Sequence, residues 1–273
     1  VADISSNIDK MNDIEISSEA PLTEALFNKM SANINGLIDS GLSAVFETTT
    51  STTFDIPEDI AKIILESIAP GGSGSGGRVT GGAAGGGGGG SSSQLIRSLD
   101  VTAAETLTIT IPAAPAGGSE NGGAGIDGGD VTIAGTFGTI TIKGGVGAGA
   151  ATGGIGGLGG GSTKDPDHSP IASFGGDGGD TGVAGGEGQR SASFVGGTGG
   201  AIGGAAGGGG GAASVYGAGP TGADGDTVAP GNDGPAPGAT DFGVGGSGGG
   251  GGLVSFASGS GGAAGGGLVR IWF

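Results

Sequence analysis

Glycine fills 75 of the 273 positions, and only Gly36 and Gly41 precede residue 71. The remaining 73 crowd into residues 71–273. Ordering one residue's backbone costs roughly 1–2 kcal/mol of entropy, and glycine loses the most freedom. Bulky side chains that could offset this by burial are scarce: nine Phe, two Met, one Trp and one Tyr in the whole chain. Any fold of the C-terminal two-thirds must therefore be held by backbone as well as side chains. The composition also sets a boundary near residue 71, between a conventional segment and a very unusual one.

The glycine tracts run over 71–90, 144–161, 175–188, 196–211, 245–252 and 259–267, interrupted by more complex segments at 162–174, 189–195 and 212–243. Flexible linker and short-strand β solenoid are two readings of such tracts. Three features favour order over a linker. The tracts are diluted by Ala, Val, Ile and Leu, they come in similar lengths, and an apolar hexapeptide at 268–273 follows them. The ordered form expected is a bundle of polyglycine-type extended helices. Each has three residues per turn, about 3.1 Å rise and no internal hydrogen bonds. Without Cβ atoms they approach closely and satisfy backbone N–H groups on one another. Collagen is excluded, because Gly219-Pro220-Thr221-Gly222-Ala223-Asp224-Gly225 keeps the glycine period only briefly. A phosphate loop is excluded, because Gly161-Ser162-Thr163-Lys164 has its residues in the wrong order.

Outside the tracts, ordinary patterns return. From Pro21, apolar residues at Leu22, Phe27, Met30, Ile34, Leu37, Ile38, Leu42 and Val45 recur at three- and four-residue steps, the signature of an amphipathic helix. Phe27, Met30, Ile34 and Leu37 fit heptad spacing and are the candidate attachment or oligomerisation residues. Such a short helix is marginal alone and needs a partner, either copies of itself, which is the favoured reading, or its own β domain. The Thr-rich stretch 46–57 predicts a strand, as do 94–101, 105–111, 130–143 and the terminal 268–273, which carries Trp272; 58–69 could form a helix, but its neighbours favour a strand. Thr106-Leu107-Thr108-Ile109-Thr110-Ile111 alternates strictly and puts its apolar residues on one face. The expected fold is thus mostly β and polyglycine-II. It has an N-terminal arm and helix at 1–45, a β-strand domain at 46–145 and a glycine-rich domain at 146–273. The small sheet is closed by the C-terminal strand.

The formal charge of −17, with nine Lys+Arg spread singly, argues against nucleic acid and anionic membrane as partners. Most of the carboxylates read as solvated loop charges. With no cysteine there are neither disulfides nor thiolate metal sites. No apolar run has transmembrane length, and the Val1-Ala2-Asp3-Ile4 start lacks the charged and apolar regions of a signal peptide. The chain is not expected to be an enzyme or to need a cofactor. His168 is the sole histidine, set in the Pro-rich loop Lys164-Asp165-Pro166-Asp167-His168-Ser169-Pro170, with no nucleophile elbow to serve it. Asp177/Asp180 and Asp224/Asp226 could offer oxygens to calcium, but solvated turns are the default and no metal site is assigned. His168, Phe174, Phe194, Tyr216 and Phe242 lie in or beside the complex segments, where loops on a rigid scaffold make a recognition surface. They are the candidate receptor-binding residues.

The order of elements carries a resemblance. Phe54-x-Ile56-Pro57, an apolar strand entering Pro70-Gly71-Gly72, the tracts, and the terminal Gly266-Gly267-Leu268-Val269-Arg270-Ile271-Trp272-Phe273 resemble the glycine-rich domain of phage tail-fibre and other virion appendage proteins. Glu19-Ala20-Pro21-Leu22-Thr23-Glu24 and the helix after it resemble a fibre attachment segment. The chain is similar to the tip adhesins of T-even-like phages. That resemblance implies a virion location, assembly in the host cytoplasm, and attachment to a bacterial surface receptor through the loops. It also implies other fibre or tail proteins as partners, with a homotrimer as the candidate assembly. A purely structural spacer or capsid decoration is the alternative, and an antifreeze-type polyglycine protein a third.

Overall fold

The computed structural model describes residues 45–79, 83–152, 154–160, 175–180, 183–189, 195–201, 205–214, 216–226, 228–252 and 256–273. They contain eight strands: β1 (Val45–Thr48), β2 (Thr52–Asp55), β3 (Lys62–Ile68), β4 (Gln94–Asp100), β5 (Thr106–Thr110), β6 (Val131–Gly135), β7 (Gly138–Ile142) and β8 (Leu268–Trp272). Two antiparallel sheets form, in the orders β1-β8-β3-β4 and β2-β5-β6-β7. The alternation in β5 works as its pattern demands: Leu107 and Ile109 are buried while Thr106, Thr108 and Thr110 face out. Leu65, Leu95, Leu99, Val269 and Ile271 from the first sheet share a core with Leu107, Ile109, Val131, Ile133 and Ile142 from the second. Phe54 extends it, with its ring centroid 4.6 Å from that of Phe46 and 5.1 Å from that of Phe273.

Two of the expected strands are each divided. The Thr-rich stretch is two strands in different sheets, bent at Thr49 and Thr50. Ser51 fastens the crossing, its hydroxyl accepting from the Ile111 amide at 2.9 Å. The 130–143 stretch is a hairpin, β6 and β7, turning at Thr136 and Phe137. The C-terminal strand sits inside its sheet between β1 and β3.

The expected fold class needs correction. The described residues contain no helix. They form an all-β fold of two antiparallel sheets, in place of a mixed fold dominated by a bundle of polyglycine-type helices. The N-terminal helix, with Phe27, Met30, Ile34 and Leu37, lies outside the described residues. The glycine tracts are runs without regular secondary structure, inserted between β3 and β4 and between β7 and β8. Their backbone bonds run sideways to neighbouring runs, some of them the returning arm of the same tract, rather than along the run.

Those sideways bonds follow a three-residue rhythm. Gly71, Gly74 and Gly77 donate to Gly265, Gly262 and Gly259; Gly72, Ser75 and Arg78 donate to Gly90, Gly87 and Ala84; Ser73 and Gly76 donate to Ile126 and Gly123. The same run accepts from Gly145 and Ala148, from Gly118 and Gly122, and from Gly246 and Gly249. It is thereby surrounded on all sides by other backbone. The runs around 85–90, 207–213 and 245–251 are enclosed in the same way, and all these inner runs are buried along their length. The other described runs form a closed ring around them, each bonded to the next.

Among the described glycines only Gly122, Gly138, Gly154 and Gly243 have positive φ. Conformational freedom is therefore not what most of the others supply. A Cβ on Gly86 would meet the Ser75 carbonyl oxygen at 1.9 Å, and one on Gly248 would meet that of Gly86 at 1.9 Å. The missing side chain is what lets backbone pack against backbone.

Candidate functional site

Of the residues singled out in the sequence, His168, Phe174 and Phe194 lie outside the described residues. Tyr216 and Phe242 are described, and the fold brings them together edge to face with centroids 6.0 Å apart. The Ser214 hydroxyl joins their backbones, donating to the Phe242 carbonyl at 2.5 Å and accepting from the Tyr216 amide at 3.1 Å. Both residues are half-buried. The Tyr216 hydroxyl donates to a Glu66 carboxylate oxygen on β3. It also accepts from Arg270 of β8 at 3.3 Å, and the guanidinium lies 5.4 Å from the ring centroid. Arg270 Nε in turn bonds Glu47 of β1 at 2.6 Å, and Gln94 Nε2 of β4 bonds Glu66 at 3.1 Å.

Every strand of the first sheet thus contributes to one polar row, and Tyr216 plugs into it from the glycine region. Burial, then the bond to Glu66 and its charge, push the Tyr216 hydroxyl well above its ordinary 10.0, against the opposing effect of Arg270. Neither anchor, Glu66 or Arg270, is among the sequence candidates. A signal exists all the same: each is a lone charge between apolar neighbours or at the edge of an apolar run, Ile64-Leu65-Glu66 in β3 and Val269-Arg270-Ile271 in β8.

The acidic residues of the outer runs have a second use. In 127–130 and again in 177–180 the chain reads Asp-Gly-Gly-Asp. Gly147 and Gly144 donate to Asp127 and Asp130 at 2.8 and 3.2 Å, and Gly159 and Gly156 donate to Asp177 and Asp180 at 2.7 and 2.9 Å. Ala201 and Ser260 donate likewise to Asp224 and Asp233. On the ring's outside a run has no further run to accept its amides, and carboxylates three residues apart accept them instead. These aspartates are therefore structural clasps rather than merely solvated loop charges. Among the described residues, no three His, Asp or Glu side chains gather as metal ligands.

Replacing Asp177 by Ala leaves the Gly159 amide to water, because the bond is exposed, and a loss of about 0.5–1 kcal/mol is expected. Asp177→Asn keeps an acceptor oxygen and should lose less. Hydrogen exchange at Gly159, faster in the alanine variant than in the asparagine one, checks this.

Open depressions lie among the described residues. One, of about 350 Å³, lies beside Phe242 and is walled by Thr49, Pro112, Ala114, Pro237 and Ala264. Another, of about 650 Å³, runs between Glu187, Gln189, Val195 and Thr198 on adjacent outer runs.

Residues 47–273 match the family model described as a glycine-rich domain, and the chain belongs to that family. No curated protein matches it.

Proposed function

Starting from a glycine-rich domain that covers most of the chain, we propose that the protein is a virion fibre or fibre-tip protein that attaches to the bacterial host surface. The supporting observation is the enclosed packing of the glycine runs. Their backbones are bonded on every side, which makes them a rigid base, the usual setting for recognition loops. Residues 1–45 would join the domain to other fibre or tail proteins, with a homotrimer as the assembly.

The test is binding of the purified full chain to host cells, competed by surface polysaccharide or outer-membrane protein. Replacing 162–174 with a Gly/Ser segment of equal length should abolish binding while leaving the melting temperature unchanged. A full chain that neither binds cells nor blocks infection would sink the proposal. A second reading, a structural spacer without a receptor, draws support from Tyr216 and Phe242, whose rings and backbones are engaged within the fold.

A further inference from the structure

The outer face of the first sheet carries an apolar row. Val45, Trp272 and Ile64 are register partners across β1, β8 and β3. Val45 is 51% exposed and Ile64 48% exposed; Ser98 of β4 pairs with Ile64, and Ile96, 64% exposed, lies beside the row opposite Glu66. Charged pairs border the row, Lys62–Asp100 on one side and Arg270–Glu47 on the other. Trp272 between them is half-buried, and a partly open apolar row of this kind on a sheet face marks a contact surface.

The position of residue 45 says what covers it. Val45 is in the row, so the preceding 44 residues are tethered at its edge. They include Phe27, Met30, Ile34, Leu37, Ile38 and Leu42. Crossing four strands takes about 14 Å, which about five extended residues span. Tethering makes this contact intramolecular, at an effective concentration in the millimolar range for a short link. We infer that the apolar residues of 27–42 cover the Val45–Trp272–Ile64 row of their own chain, fixing the glycine-rich domain to the segment that precedes it.

Trp272 is the sole tryptophan and reports on the row directly. In the full chain its fluorescence should resist acrylamide. Phe27→Ser, Ile34→Ser and Leu37→Ser together should raise quenching about twofold or more as the indole becomes open, with the melting transition of the sheets retained. Unchanged quenching in that variant overturns the inference. So does protection that disappears on dilution together with a fall in mass, because the covering residues would then come from a second copy. A reciprocal variant, Ile64→Ser with Ile96→Ser, should speed proteolysis within 22–42; equal cleavage rates would also count against it.

Discussion

Gly86→Ala should lower the melting temperature by roughly 6–12 °C, while Gly266→Ala leaves it unchanged or raises it slightly. At Gly86 the new methyl would sit 1.9 Å from the Ser75 carbonyl oxygen, with the Gly76 carbonyl carbon at 2.9 Å. Neither neighbour is a side chain that can change rotamer. Both belong to runs bonded on all sides, so relief requires several backbones to move together. Overpacking of ordinary cores costs about 1–3 kcal/mol, occasionally more, and this site should reach about 3 kcal/mol. A shift of 2–4 °C per kcal/mol, roughly that of domains this size, gives the range stated.

Gly266 is the matched control. A Cβ there would meet nothing within 4 Å, and its φ is not in the positive range. Reduced freedom of the unfolded chain then favours alanine by about 0.4–1 kcal/mol. Gly138 separates space from conformation: it too is open, but its φ is +98°, so alanine should cost about 1–2 kcal/mol. Thermal melts of the three variants check the order. Equal losses at Gly86 and Gly266 would mean that the runs are not packed through their missing Cβ atoms.

This contrast explains how far the sequence is legible. β5 and β8 stand out because alternation and an apolar terminal run report burial directly. The β6–β7 hairpin reads as one strand because Thr136 and Phe137 are not strong turn formers; the turn relies on Gly138 at positive φ. The 46–57 stretch hides a change of sheet, because β-branched residues suit both halves equally. The glycine runs are least legible. Gly71 bonds Gly265 and Gly86 bonds Gly249, and no side chain records either partner. One trace does survive. Outer runs carry a larger residue at every third position, as in Val195, Thr198 and Ala201, all exposed, whereas 85–90 and 248–251 are glycine alone. Of the candidate site, the Tyr216 and Phe242 positions are visible as aromatics in a glycine background. Their partners Glu66 and Arg270 are not, since each is remote in sequence.

Arg270→Ala should cost about 1–2 kcal/mol, because its side chain is 29% exposed and its guanidinium 3.7 Å from the Glu66 carboxylate, so the loss falls between that of a surface pair and that of a buried one. Glu66 is only 8% exposed, and without Arg270 it loses the cation nearest to its carboxylate. The Arg270–Glu47 bond is more open to water, with side chains 29% and 48% exposed, and contributes little of that loss. Replacing both Glu66 by Gln and Arg270 by Met should be milder than Arg270→Ala alone, because no uncompensated charge remains. The Tyr216 hydroxyl supplies an independent check through pH. Its pKa is raised on folding, so its contribution is whole below the ordinary value of 10.0 and declines as pH rises beyond it. The stability difference between the parent and Tyr216→Phe should therefore be constant through neutral pH and shrink above about pH 10. Urea titrations on both sides of that value measure it. A gap that stays constant would show that the hydroxyl does not bind the Glu66 carboxylate.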